Sequence, residues 1–141
     1  MIREKTIENA IADILRLIGE DLERPGIKDT PKRVAKMYRD LFSGIDQDPS
    51  EELVVGFEEG HHDLVILRDI RFYSMCEHHL IPFYGTANIG YLPNGRVVGV
   101  SKIVRALEVL THRPQLQERL TAQLADTLIK ALQADGVAVV L

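Results

Sequence analysis

A chain of 141 residues with 45% hydrophobic and 27% charged content fits one ordinary globular domain, long enough to bury a core. No apolar run approaches a membrane span, the N-terminus lacks the apolar stretch of a signal peptide, and a net charge of −4 argues against general nucleic-acid binding. One cysteine allows no internal disulfide, which points to a reducing, cytoplasmic setting.

Through residues 1–50 the apolar period is helical. Ile7, Ala10, Ile11, Ile14, Leu15 and Ile18 follow the i, i+3, i+4, i+7 rule, with Gly19 as a stop. Asp29-Thr30-Pro31, a cap residue followed by proline at the first helical position, predicts a second helix, with Val34, Met37, Tyr38, Leu41 and Phe42 on one face and Gly44 at its end. Strand composition follows at Leu53–Val55 and at 63–73. Residues 86–92 alternate, with Ala87, Ile89 and Tyr91 on one face. The Pro93-Asn94-Gly95 turn and the returning 96–100 then predict a β-hairpin. A helix is expected from Ser101, with Ile103, Val104, Leu107 and Leu110 as its stripe. Another is expected from about Pro114, with leucines at 116, 120, 124, 128 and 132 and Gly136 closing it. Residues 137–141 read as a strand covered on both faces, with nothing after it to pair with its edge. The order predicts an α+β fold, with a helical segment over 1–50 and a sheet-and-helix core over 51–141 as parts of one domain.

Three stretches carry chemistry. Cys76-Glu77-His78-His79 offers a thiolate and imidazoles at a spacing that lets a tight turn aim two ligands at one zinc; a buried cysteine beside solvated histidines is the bland alternative. His61-His62 fits a solvated loop. At 98–105 a helix start carries Ser101, Lys102 and Arg105. Cations there oppose the helix dipole, as they do on many surfaces, or they meet a phosphate together with the free N–H groups. Gln117-Glu118 suits a helix start, and it could equally read a purine edge, since a carboxylate accepts two parallel N–H bonds.

In their order along the chain, DTPKRVAKMY (29–38), FYSMCEHHLIPFYG (72–85), YLPNGRVVGVSKIVR (91–105), RPQLQERLTAQLAD (113–126) and GVAVVL (136–141) resemble the GTP cyclohydrolase I family. The resemblance implies a tunnelling fold (T-fold), in which an antiparallel sheet carrying two helices follows N-terminal helices. It also implies a cytoplasmic homo-oligomer, a decamer of two stacked pentamers, with active sites at subunit interfaces. Position by position, it makes Cys76 and His79 ligands of one Zn²⁺ per subunit and His78 the acid/base histidine. Ser101, Lys102 and Arg105 then hold the triphosphate of GTP, joined by Arg33 across an interface, and Gln117 and Glu118 read guanine. In the family the last strand runs on into a segment carrying the third zinc ligand, a cysteine, so that ligand is expected beyond Leu141. The implied reaction converts GTP to 7,8-dihydroneopterin triphosphate and formate, the first step of tetrahydrofolate and pterin biosynthesis. Two rivals are a catalytically incompetent GTP-binding or ring-forming protein of the same fold, and a deazapurine reductase using a cysteine nucleophile. The adjacent histidines and the phosphate-type helix start favour the zinc enzyme over the reductase.

Overall fold

Isoleucine and leucine at helical spacing make Glu4–Leu17 a helix, α1, in the computed structural model, which describes residues 3–141. Gly19, at φ +90°, turns the chain out of it. Helix α2 spans Thr30–Leu41 with Pro31 in its first turn, where a missing N–H costs nothing. Asp29 stands at the N-cap but its side chain makes no capping bond; its carboxylate reaches Arg33 at 3.4 Å instead. Arg39, near the end of α2, pairs with Glu4 at the start of α1 at 2.9 Å, so the two helices run antiparallel. Together they form one compact unit ending at Ser43, and Gly44–Leu141 forms the other.

The second unit is an α+β body. A short 3-10 helix, Pro49–Leu53, is capped by Asp48, whose side chain accepts from the Ser50 backbone N–H. The expected strand at Leu53–Val55 is therefore wrong. Leu53 is a fully buried plug at the helix end, while Val54 and Val55 are exposed. Strand β1 is Gly56–His61, and β2 and β3 are Val65–Cys76 and Pro82–Leu92, paired antiparallel. Asp69, at φ +59°, sits in a bulge of β2 between Leu67 and Ile70. The extra residue moves the inward-facing set from Leu67 to Phe72 and Ser74, so that Cys76 emerges at the strand end.

The predicted hairpin at Pro93–Gly95 does not form. Strand β4, Gly95–Val98, pairs with β1, because both edges of β3 are already taken, by β2 and by β6. Helix α3 spans Val100–Thr111; β5 is the pair Pro114–Gln115; helix α4 is Gln117–Leu132; and β6 is Gly136–Val140. Helix α4 starts three residues later than expected, since 114–115 join the sheet. It ends at Gln133 in the left-handed region (φ +51°) rather than at Gly136, which opens β6. The main sheet has the order β5-β2-β3-β6, with β1 and β4 as a separate ribbon. Ala87, Ile89 and Tyr91 face inward as predicted. They meet Leu120, Leu124, Leu128 and Leu132 of α4 and Ile103 and Leu107 of α3, all of them at most 1% exposed.

Candidate active site

Cys76 ends β2, and Glu77–His79 turn the chain toward β3. The turn is closed by the Leu80 N–H donating to the Cys76 carbonyl (2.8 Å) and the Cys76 N–H donating to the Ile81 carbonyl (2.9 Å). Leu80 adopts φ +53° to make it. The Cys76 Sγ then lies 3.9 Å from His79 Nδ1, and Cys76 is a free, half-buried thiol. Two donors on a tetrahedral zinc, with Zn–S ~2.3 Å and Zn–N ~2.0 Å, stand ~3.5 Å apart. The pair fits such an ion after a shift of a few tenths of an ångström. No group of three or more potential metal-binding His, Cys, Asp or Glu side chains occurs among the described residues. His78 projects outward between the two donors, its ring edge-on to that of His79 with centroids 6.0 Å apart.

The short strand β5 brings the second element in. Cys76 is in parallel register with Gln115, and the Glu77 N–H donates to the Gln115 carbonyl at 3.0 Å. Two residues on, α4 begins, so Gln117 and Glu118 occupy a helix start beside the Cys-Glu-His-His turn. Both are exposed, and the Gln117 amide donates to the Leu141 carbonyl at 3.0 Å. Arg119 closes the arrangement with a two-pronged ion pair to Glu77, one prong being Nη2 to Oε1 at 3.0 Å. That guanidinium holds the Glu77 carboxyl below the usual carboxylate range. Glu77 and Arg119 were not among the residues singled out from the sequence. The sequence holds one clue: Arg119 has no acidic residue three or four positions away on its helix, so any ion-pair partner would come from another segment.

The cationic helix start lies elsewhere. Gly99, not Ser101, is the N-cap of α3, and no side chain caps the helix. The Ser101 hydroxyl is exposed within the first turn, which leaves it available to a ligand. Lys102 and Arg105 both approach Glu52 Oε2, at 3.8 and 3.9 Å, so the two cations share one side of α3. The Ser74 hydroxyl donates to the carbonyl of Thr111, the last residue of α3, at 2.7 Å. The Cys76 end of β2 is thus next to the C-terminus of α3, and Arg105 and Lys102 stand ~9 and ~14 Å back along that helix. Arg33 lies in the other unit, exposed on α2.

A thiol-imidazole pair, an exposed histidine and an amide-carboxylate pair thus lie at one sheet end. The family description "GTP cyclohydrolase I" matches residues 7–141. Curated relatives named GTP cyclohydrolase 1 are 56% identical in Dehalococcoides mccartyi (strain 195) and in Streptococcus agalactiae (strain A909), each covering 100% of this chain and 76% of the relative. One from Streptococcus pyogenes is 58% identical over 98% of this chain and 72% of its own length. This chain belongs to the GTP cyclohydrolase I family, and its sheet with two packed helices is the α+β T-fold core that membership implies. No helix among the described residues is long and apolar enough to cross a membrane.

Proposed function

We propose that the chain catalyses the hydrolytic opening of GTP at C8 and its rearrangement to 7,8-dihydroneopterin triphosphate with release of formate, using zinc. The observation that supports this reading is the β2–β5 register, which pairs Cys76 with Gln115, two residues before Gln117. A base read by Glu118 through its N1–H and N2–H would be held against that turn. Zinc, when bound, supplies the Lewis acidity that brings the pKa of a water to ~7. Cys76 and His79 are the donors this chain contributes. His78, exposed between them, moves protons at the opening ring. Gln117 supplies a donor and an acceptor to the base edge once its amide leaves the Leu141 carbonyl. Ser101, Lys102 and Arg105, joined by Arg33 of another subunit, take the triphosphate, which positions the nucleotide and does not itself react.

The third donor is proposed to be a cysteine following Leu141. Strand β6 pairs antiparallel with β3 from Leu92–Gly136 to Asn88–Val140. In that register, about six further residues of strand would reach Pro82, next to the Cys-Glu-His-His turn. Because Lys102 lies in the first turn of α3 and Arg105 midway along it, both back from the Thr111 end that meets β2, we assign the triphosphate of one site to the cations of another subunit. That is the reason for proposing a homo-oligomer, a decamer of stacked pentamers, with sites at its interfaces. The test is Cys76→Ser in the intact protein supplied with zinc. Formate release should be abolished while GTP still binds; normal turnover would remove the zinc reading.

A further inference from the structure

Arg119 reaches across 42 residues of sequence to Glu77, the residue between the two site positions Cys76 and His78. The backbone already ties this turn down without it. Cys76 N–H to the Ile81 carbonyl, Leu80 N–H to the Cys76 carbonyl and Glu77 N–H to the Gln115 carbonyl are each 2.8–3.0 Å. An exposed ion pair adds little to the stability of a fold so fastened. What a two-pronged guanidinium–carboxylate contact adds is direction, because its planar fork accepts one relative orientation of the partners. Here one partner belongs to the turn that carries Cys76, His78 and His79. The other is the residue after Glu118 in the first turn of α4.

We propose that Arg119 is a positioning residue for the reaction. Clamped on Glu77, it fixes the spacing between the base-reading pair Gln117–Glu118 and the proton-transferring His78. The clamp has a second consequence. With both carboxylate oxygens of Glu77 engaged by Arg119, Glu77 does not compete as a metal donor beside Cys76 and His79. The inference rests on the reading of those residues given under Proposed function.

The experiment compares wild type, Arg119→Ala, Arg119→Lys, Glu77→Gln and the Arg119→Ala/Glu77→Gln double variant as zinc-loaded whole protein. Formate release gives kcat and KM separately, zinc content is measured on each preparation, and GTP affinity is measured on metal-free protein. For Arg119→Ala, kcat should fall ~10²-fold, the usual consequence of a reacting group displaced by about an ångström. Zinc content, KM and metal-free GTP affinity should stay within about threefold of wild type, since each half of the site is intact. Glu77→Gln should lose a similar factor and the double variant no more than either, as expected of two members of one contact. Arg119→Lys, which keeps the charge without the fork, should recover part of the loss. An active wild type with unchanged kcat in Arg119→Ala overturns the positioning role alone. So does loss of zinc in proportion to activity, or multiplicative losses in the double variant. A zinc-loaded wild type that releases no formate from GTP overturns the underlying reading and this proposal with it.

Discussion

Glu118 is exposed at the start of α4, where a negative charge suits the helix dipole, so its location alone has a sufficient structural explanation. The parallel pairing of Cys76 with Gln115 sets it apart from other helix-start carboxylates. Glu118→Ala should leave the fold intact and reduce the preference for GTP over ATP by roughly 10–100-fold, the worth of losing charge-assisted hydrogen bonds to two N–H groups. Competition between the two nucleotides in a formate assay measures it, and unchanged purine preference would remove the carboxylate from the base site. That Cys76 and His79 could turn toward one point was legible in the sequence, because donor type and spacing are properties of the residues themselves. The N-cap of α3 was not, since any of three consecutive residues could begin the helix. The Glu77–Arg119 contact joins two distant segments, and no local periodicity carries it.

Gly44 shows how element boundaries escape local rules. The sequence makes it a helix stop, yet α2 ends at Leu41. Gly44 instead donates its N–H to the His112 carbonyl at 2.9 Å and accepts from the Arg113 guanidinium at 2.7 Å. A Cβ there would fall onto the Val109 carbonyl oxygen and lie 3.1 Å from that of His112. Gly44→Ala should therefore destabilise by ~1–3 kcal/mol, as overpacking does, and lower the urea midpoint; an unchanged midpoint would show that the loop yields freely. The neighbouring 3-10 helix has a pH signature. Hydrogen bonds from the Ser50 N–H and hydroxyl hold the Asp48 carboxyl below its ordinary range. A depressed folded-state pKa contributes stability above the unfolded value of ~3.9, and that contribution is lost as pH falls through the folded value. The gap in urea midpoint between wild type and Asp48→Asn should be full at pH 6 and narrow toward pH 3. A gap independent of pH would show that the ionised cap contributes nothing. The long periodic elements α4 and β3 were readable because burial imposes their period, and α1 from the spacing of its apolar residues although none of them is buried. The pairing of β4 with β1 instead of β3 was not, because a local turn signal says nothing of which edges β2 and β6 already occupy. Strand β1, Gly56–His61, was missed because its glycines and glutamates lack strand composition, and only β4 makes it a strand.

The proposed division of the site between subunits has a consequence for the assembly. Thr111 abuts Ser74, so the Cys76 turn is at one end of α3, while Ser101 and Lys102 lie in its first turn and Arg105 midway along it. If each site draws its cysteine half from one subunit and its cation half from another, a defect in either half is confined to the sites that half enters. Cys76→Ser and Lys102→Ala homo-oligomers should each be inactive or nearly so. Co-expressed in equal amounts and purified through two different tags, they should form mixed assemblies with about a quarter of wild-type activity, since a quarter of randomly formed interfaces join two intact halves. If instead one chain furnished both halves of its own site, every site in the mixture would carry one defect and no activity would return. Simple mixing of preassembled homo-oligomers is the control, and it should show no recovery until subunits exchange. Activity on co-expression alone would therefore locate the triphosphate cations on a different subunit from the thiol.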